Sequence, residues 1–343
     1  MRFIGSKNLL LKNIEDVINE NIKDAKVFCD IFSGTGVVAN YFKKEYRIIS
    51  NDILYFSYVI QKAIIENNKI PKFGNIPRIE NPIDYLNSIK DNELEKLSKN
   101  KRFFQNNYSP IGNRMYLTEN NALRIDFVRN KIEEWYKKAY INNNEYYYLV
   151  ALVVEGIPFV SNISGTYGAY HKKWDKRAFK KYKLSPLNIL NNKKKNKCYN
   201  SDGLKLLKRI KGDILYIDPP YNQRQYLPNY HLLETAAKYD NPIIKGVTGQ
   251  REYKENEKSE FCYKNKASSY FEEMIKNADF RHIILSYSTD GILEIKEIEK
   301  IMKKYGIPRT YKLYKIPYRR YKSRKQNNKE ELNELLFYIK KNV

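Results

Sequence analysis

At 343 residues with 42% hydrophobic side chains, the chain can hold one large α/β domain plus a sizeable insertion, and wholesale disorder is excluded. Lysine and arginine outnumber aspartate and glutamate by 63 to 39, a net charge of +24 that points to a polyanionic partner, and 31 tyrosines offer stacking faces for unpaired bases. The odd set Cys29, Cys198 and Cys262 forms no CxxC pair, and the histidines lack metal-ligand spacing, which argues against a disulfide framework or a metal site.

In chain order, residues 8–22 place Leu9, Leu10, Ile14, Val17, Ile18 and Ile22 at helical spacing, and 26–31 form a short apolar strand. The strand ends in the turn Phe32-Ser33-Gly34-Thr35-Gly36, followed by a helix over 37–44 and a second strand over 46–50 that closes on Asn51-Asp52. A further helix is expected over 54–67. Strand, turn, helix and strand with an acid at the second tip make the opening half of a doubly wound sheet. From 71 to 197 the composition turns polar, Tyr-rich and basic around one apolar helix at about 145–156, so this stretch reads as an insertion. The α/β alternation then resumes. Strands are expected at 213–217 and 281–287, with a closing antiparallel pair at 311–318 and 335–339. The opening Met1-Arg2-Phe3-Ile4-Gly5 has no leader-like apolar core, and the apolar stretch 146–160 is too short for a bilayer and holds Glu155. A cytoplasmic protein without a membrane segment is expected.

The decisive segment is Asp218-Pro219-Pro220-Tyr221, delivered by an apolar strand to the sheet edge where α/β proteins place ligands. Methylating an exocyclic amino group needs acceptors for its two hydrogens, because its lone pair is delocalised into the ring. Asp218 supplies a carboxylate and Pro219 a carbonyl, the paired prolines stiffen the loop, and Tyr221 can stack on an extruded base. Asp-Pro-Pro alone also makes a good β-turn. The glycine turn from Asp30 to Gly36 lets backbone approach a ligand at a helix start, and it is neither GxGxxG nor a P-loop. Asp52 stands where ribose hydroxyls are held in such sheets.

These residues resemble the α-class, Dam-like DNA adenine methyltransferases of restriction–modification systems. Four motifs occur in the family's order, beginning with Phe3-Ile4-Gly5-Ser6-Lys7, the N-terminal cofactor motif whose Lys7 would approach the methionine carboxylate. Asp30 to Gly36 resembles the main cofactor loop, Asn51-Asp52 the ribose acid, and Asp218 to Tyr221 the catalytic motif. The family's acid that meets the cofactor's adenine amino group corresponds to Asp202. Ile31 departs from the Pro often found after Asp30, and neither glycine is lost. The resemblance extends to Asn222-Gln223-Arg224-Gln225-Tyr226, Ser164 to Tyr170, Ser286 to Gly291, and Tyr318-Arg319-Arg320-Tyr321-Lys322, so it spans nearly the whole chain.

The resemblance implies a Rossmann-like class I methyltransferase sheet, mostly parallel, from 1–70 and 198–343, with S-adenosylmethionine as cofactor and no metal. It further implies a mainly helical target-recognition region over 71–197. Double-stranded DNA is the expected partner, with a cognate restriction endonuclease as functional counterpart and a monomer as the working state. Lys172, Lys173 and Arg177 are candidates for phosphate contacts, and Tyr167, Tyr170, Asn222, Arg224 and Gln225 for contacts at or near bases. Arg319, Arg320 and Lys322 interleave with tyrosines and suit backbone or flipped-strand contact. Two alternatives remain: an RNA adenine methyltransferase, or an inactive DNA-binding module on the same fold. Related loops also act on protein glutamines, but there Asn usually replaces the acid.

Overall fold

The computed structural model of the chain describes residues 5–317 and 333–342. Within them the strands are β1 (Val27–Asp30), β2 (Arg47–Asn51), β3 (Lys197–Tyr199), β4 (Lys211–Ile217), β5 (Ile244–Lys245), β6 (Gln250–Arg251), β7 (Asp279–Ser288), β8 (Lys312–Pro317) and β9 (Asn333–Lys340). Seven of them form one sheet in the order β3-β2-β1-β4-β7-β9-β8. Strands β1 to β4 and β7 run parallel, while β9 is antiparallel to both β7 and β8. This is the expected Rossmann-like sheet with an antiparallel C-terminal pair. β3 has no counterpart among the expected strands. It is three residues long, too short to show a period, and Asn196 steers it onto the sheet by accepting from Ile48 N at 2.9 Å.

The chain winds outward from β1 to β2 and β3, then returns to β4 on the other flank of β1. The carboxyl ends of β1 and β4 therefore border the topological switch point, where open α/β sheets bind ligands. One sheet face, carrying Cys29, Leu215, Ile217, Leu285 and Phe337, packs on the helices Ala267–Asn277 and Ile295–Tyr305 through Phe271, Met274, Ile298 and Met302. By the two-residue alternation of strands, Phe28, Tyr216 and Ile284 lie on the other face. There Phe28 stacks on Phe42 of the helix Val37–Phe42, ring centroids 4.8 Å apart.

The chain divides into two compact units. The sheet unit comprises Ser6–Ile53, Asn192–Gln225 and Lys258–Val343, and the helical unit Met1–Gly5, Leu54–Asn191 and Tyr226–Glu257. Where the sequence divides at 71 and 198, contacts thus group the helix Tyr55–Gln61 and the segment after Tyr226 with the helices between them. A buried carboxylate shows why: Glu234, on the helix Leu227–Lys238, caps the start of Tyr55–Gln61 by accepting from Tyr55 N at 3.0 Å and Phe56 N at 2.9 Å.

Also in the helical unit, the expected apolar helix is Asn143–Gly156, started by a capping box between Asn142 and Glu145. A longer helix, Glu119–Lys137, escapes the sequence reading. Its inner side buries Asn121, Arg124, Asp126 and Arg129 among apolar residues, which breaks up the stripe that marks an amphipathic helix. No helix among the described residues is long and apolar enough to cross a membrane.

Candidate active site

In the sheet unit, the glycine turn follows β1 directly. Gly34 (φ 52°) and Gly36 (φ 80°) occupy the left-handed region, where a side chain would strain the backbone. Gly36 N donates to Ser33 O at 2.8 Å, and Ser33 N to Asn51 O at 2.9 Å. The Asp52 carboxylate accepts from Gly34 N at 2.8 Å, so the acid at the tip of β2 is tied to the turn. Asn51 is committed to backbone: its amide donates to the Ile31 and Ser201 carbonyls (3.0 and 2.9 Å), and its oxygen accepts from Ser201 N (3.1 Å). Phe32 meets Phe261 edge-on, centroids 5.5 Å apart, and a side chain at Gly203 would come within 3.1 Å of the Phe32 ring. Thr35 is half-buried in the same turn. Asp202 caps the helix Gly203–Leu207, accepting from Lys205 N at 2.9 Å, and its second oxygen accepts from the Tyr270 hydroxyl.

β4 brings Asp218 to the neighbouring position. Asp30 pairs in register with Tyr216, and Ile31 N donates to Tyr216 O at 3.2 Å, so the two strand ends are clipped together. Pro219 is buried and Pro220 half-buried; without N–H groups neither can extend the ladder. Tyr221 O accepts from Ile292 N at 3.1 Å, and its ring meets Tyr287 edge-on at 6.1 Å. After Gly5 (φ 75°) and the half-buried Ser6, the Lys7 side chain turns inward and is only 4% exposed. Its ammonium lies 3.2 Å from Asp218 Oδ1, 3.3 Å from Glu334 Oε2 and 5.4 Å from the centre of the Tyr221 ring. Glu334 escapes the sequence reading. Its one signal is a charged residue opening the otherwise apolar run 335–339.

These groups perturb one another. Burial pushes the Asp30 carboxyl up to about 8, with Asp218 and Asp52 adding to the rise and the nearby Ser33 hydroxyl and Ala39 N–H opposing it. Asp30 Oδ1 has no hydrogen-bond partner among the described residues. Burial raises Asp218 to about 6, Glu334 adding and Lys7 opposing. Burial alone would lower the Lys7 ammonium; Asp218 and Glu334 outweigh it and hold Lys7 firmly charged. Burial also raises Tyr221. Acids with raised proton affinity, beside a positive-φ glycine turn at a switch point, make this a candidate ligand-binding and catalytic centre.

The candidate DNA contacts are placed unevenly. In the helical unit Lys172 and Lys173 are exposed, and Tyr170 is half-buried with its ring 4.9 Å from that of Tyr116. Tyr167 is a core residue, 1% exposed, its hydroxyl 3.2 Å from Ser161 Oγ and its carbonyl accepting from Tyr116 at 2.7 Å. As placed, its ring is turned away from solvent. Arg177 donates to the Ile163 carbonyl and pairs with Asp175 at 3.4 Å. In the sheet unit Arg224 is exposed, its N–H bonded to Asn222 Oδ1 at 3.0 Å, whereas both ends of the Gln225 amide bind the Ser259 backbone (2.9 and 3.0 Å). Arg319, Arg320 and Lys322 lie outside the described residues.

Residues 3–301 match the D12 class N6 adenine-specific DNA methyltransferase family. Over 348 residues the chain is 52% identical to the Type II methyltransferase M.FokI of Planomicrobium okeanokoites, spanning 100% of this chain and 53% of that protein. Over 344 residues it is 42% identical to the modification methylase StsI of Streptococcus sanguinis (99% of this chain, 52% of that protein). Over 349 residues it is 37% identical to the Type II methyltransferase M.NlaIII of Neisseria lactamica (99% of this chain, 98% of that protein). The chain thus spans about half the length of the first two relatives and nearly all of the third.

Proposed function

The chain belongs to the D12 class N6 adenine-specific DNA methyltransferase family, and on that premise we propose that it transfers a methyl group from S-adenosylmethionine to the N6 amino nitrogen of a flipped adenine. The target is duplex DNA at a defined sequence, and the role is that of the modification enzyme of a restriction–modification system. The observation that carries this reading is Asp218 and the Pro219 carbonyl at the end of β4, clipped to the glycine turn at the end of β1.

The donor set fits the cofactor. An orphaned buried Asp30 oxygen, an acid at the tip of β2 and two positive-φ glycines suit a ligand carrying ammonium, sulfonium and ribose groups. Gly5, Ser6, Lys7, Asp30, Phe32, Ser33, Gly34, Thr35, Gly36, Asn51, Asp52, Asp202 and Asp218 are the residues proposed around it, with Asn51 acting by bracing the loops. When bound, the sulfonium supplies an electrophilic methyl group. Asp218 accepts one amino hydrogen of adenine and the Pro219 carbonyl the other, which localises the nitrogen lone pair toward that methyl. The methylated nitrogen then releases a proton to the Asp218 carboxylate, whose raised affinity suits the task, and from there to water. Tyr221 stacks on the extruded base, paired prolines keep the loop rigid, and the clipped ends of β1 and β4 position the reactants in line.

For the duplex, exposed Lys172 and Lys173 are proposed to meet phosphates, and Asn222, Arg224 and Tyr170 to lie near bases. A cytoplasmic monomer acting on each strand separately fits this use, with a cognate restriction endonuclease as functional counterpart. Single-molecule sequencing of DNA from a host expressing the protein tests the reading. N6-methyladenine in one sequence context supports it. Unmodified DNA, together with methylation of structured RNA in a parallel assay, overturns it in favour of an RNA substrate.

A further inference from the structure

Glu334 stands at the start of β9, paired in register with Ser288 at the end of β7. It is 5% exposed, and its Oε2 lies 3.3 Å from Lys7 Nζ, while Asp218 Oδ1 lies 3.2 Å from the same nitrogen. One ammonium is thus shared by the buried Glu334 and the half-buried Asp218, which come from β9 and from the end of β4, strands that are not neighbours in the sheet, since β7 lies between them.

A Lys7–Asp218 pair alone would be neutral and self-satisfied, its carboxylate drawn toward the ammonium and weakened as an acceptor. Adding Glu334 leaves the trio with one net negative charge. In the proposed transfer, positive charge would develop on the amino nitrogen held by Asp218. A net negative trio favours that charge; a neutral pair does not. We infer that Glu334 is a positioning residue for the methyl transfer, acting through Lys7 to preserve the acceptor strength of Asp218. This rests on the methyltransferase reading above and assigns Glu334 no contact with substrate or cofactor.

The groups that face Asp218 are Lys7 from the N-terminal segment, Asp30 from the end of β1, Tyr216 from β4, Tyr221 from the catalytic loop and Glu334 from β9. Among these Glu334 raises the proton affinity of Asp218 and Lys7 lowers it. Neutralising Glu334 therefore moves the acid limb of the rate profile to lower pH, because Asp218 then loses its proton more readily.

The test measures kcat against pH on duplex DNA for the full chain and for Glu334→Gln, Glu334→Asp, Lys7→Met and the double variant Lys7→Met/Glu334→Gln. Glu334→Gln is expected to lose about tenfold in kcat, less than the roughly hundredfold or more of a group that itself moves a proton. Its acid limb falls on the pH axis, and Glu334→Asp restores most of both. In the Lys7→Met background Glu334→Gln adds little, because its route of action is gone. An unmoved acid limb with wild-type kcat overturns the inference, and so does an undiminished effect of Glu334→Gln without Lys7. Should Glu334→Gln fail to fold, the neutral Glu334→Met takes its place: a limb displaced to lower pH supports the inference, and an unmoved one overturns it. If the wild-type chain methylates no adenine, the underlying reading fails instead, a distinguishable result.

Discussion

The two units treat buried charge in opposite ways. In the helical unit each buried ion meets backbone groups or an opposite charge. Asp126 accepts from Phe104 N and Gln105 N (2.8 and 2.9 Å), Arg129 donates to Ala236 O and Glu133 (both 2.8 Å), and Arg251 grips Asp240 with both terminal nitrogens. In the sheet unit Asp30, Asp218 and Glu334 gather at the strand ends with Lys7 as the cation between the last two. Burial raises Asp126 as well, so burial alone does not mark a site. Crowding does. Neighbouring acids add to the rise that burial gives Asp30 and Asp218 and leave acceptor capacity unspent, whereas matched pairs spend theirs on the fold.

The sharpest break of this contrast is Asp218→Ala. It is expected to lower kcat by about a thousandfold or more while calorimetry finds cofactor affinity within a few-fold of wild type. Near-normal methylation would remove the crowded acids from catalysis. In the wild type, kcat should rise with pH through about 6, because Asp218 must be ionised to accept and its value is raised to that point. A flat profile across that range would assign the acceptor to another group.

Glu234→Ala should act in the other direction. It strips the cap from Tyr55 N and Phe56 N and leaves Lys238 without a carboxylate 3.0 Å away, so a loss of about 3 kcal/mol in the helical unit is expected. Thermal unfolding and amide exchange over Tyr55–Gln61 measure it; unchanged protection there would mean the cap is redundant.

His231 offers a smaller effect with a defined sign. It is buried in the helical unit with Nε2 2.8 Å from Tyr167 O, and burial lowers it from 6.5 to about 4. Between those values the unfolded chain binds the proton and the folded chain does not, so stability falls as pH drops from 6.5 toward 4. Asp30, raised to about 8, contributes with the opposite sign. His231→Leu isolates the histidine: urea unfolding at several pH values should show the wild type losing up to about 3 kcal/mol more than the variant over that window. Parallel curves would contradict a buried neutral imidazole.

The least effect is expected on the exposed side. Lys172→Ala/Lys173→Ala should weaken duplex affinity a few-fold and reduce the slope of log affinity against log salt by about 2, one for each lost phosphate contact. An unaltered slope would mean that both lysines belong to a solvated face that meets no phosphate.

Much of the sheet is legible in the sequence, because its strands are apolar runs ended by turn chemistry. The glycine turn, Asp52 and the Asp-Pro-Pro-Tyr loop were legible for a related reason: each lies at a strand end, where residue type and position together limit the possible roles. The helix Glu119–Lys137 was hidden because its core side carries Asn121, Arg124, Asp126 and Arg129, which imitate an exposed surface. Tyr167 shows the same ambiguity reversed, since a tyrosine amid polar neighbours looks available for stacking and here is core.

By itself, then, the sequence determined the sheet class, the switch-point loops and the chemistry at their tips, all of which depend on neighbouring residues and on spacing. Only the tertiary structure decided that Glu334 shares Lys7 with Asp218, that Asn51 and Gln225 serve the backbone, and that Glu234 draws the helix after Asp52 into the helical unit. The reason is physical. A carboxylate's partner is chosen by distance in space, and a separation of 327 positions between Lys7 and Glu334 leaves no periodicity from which it can be read.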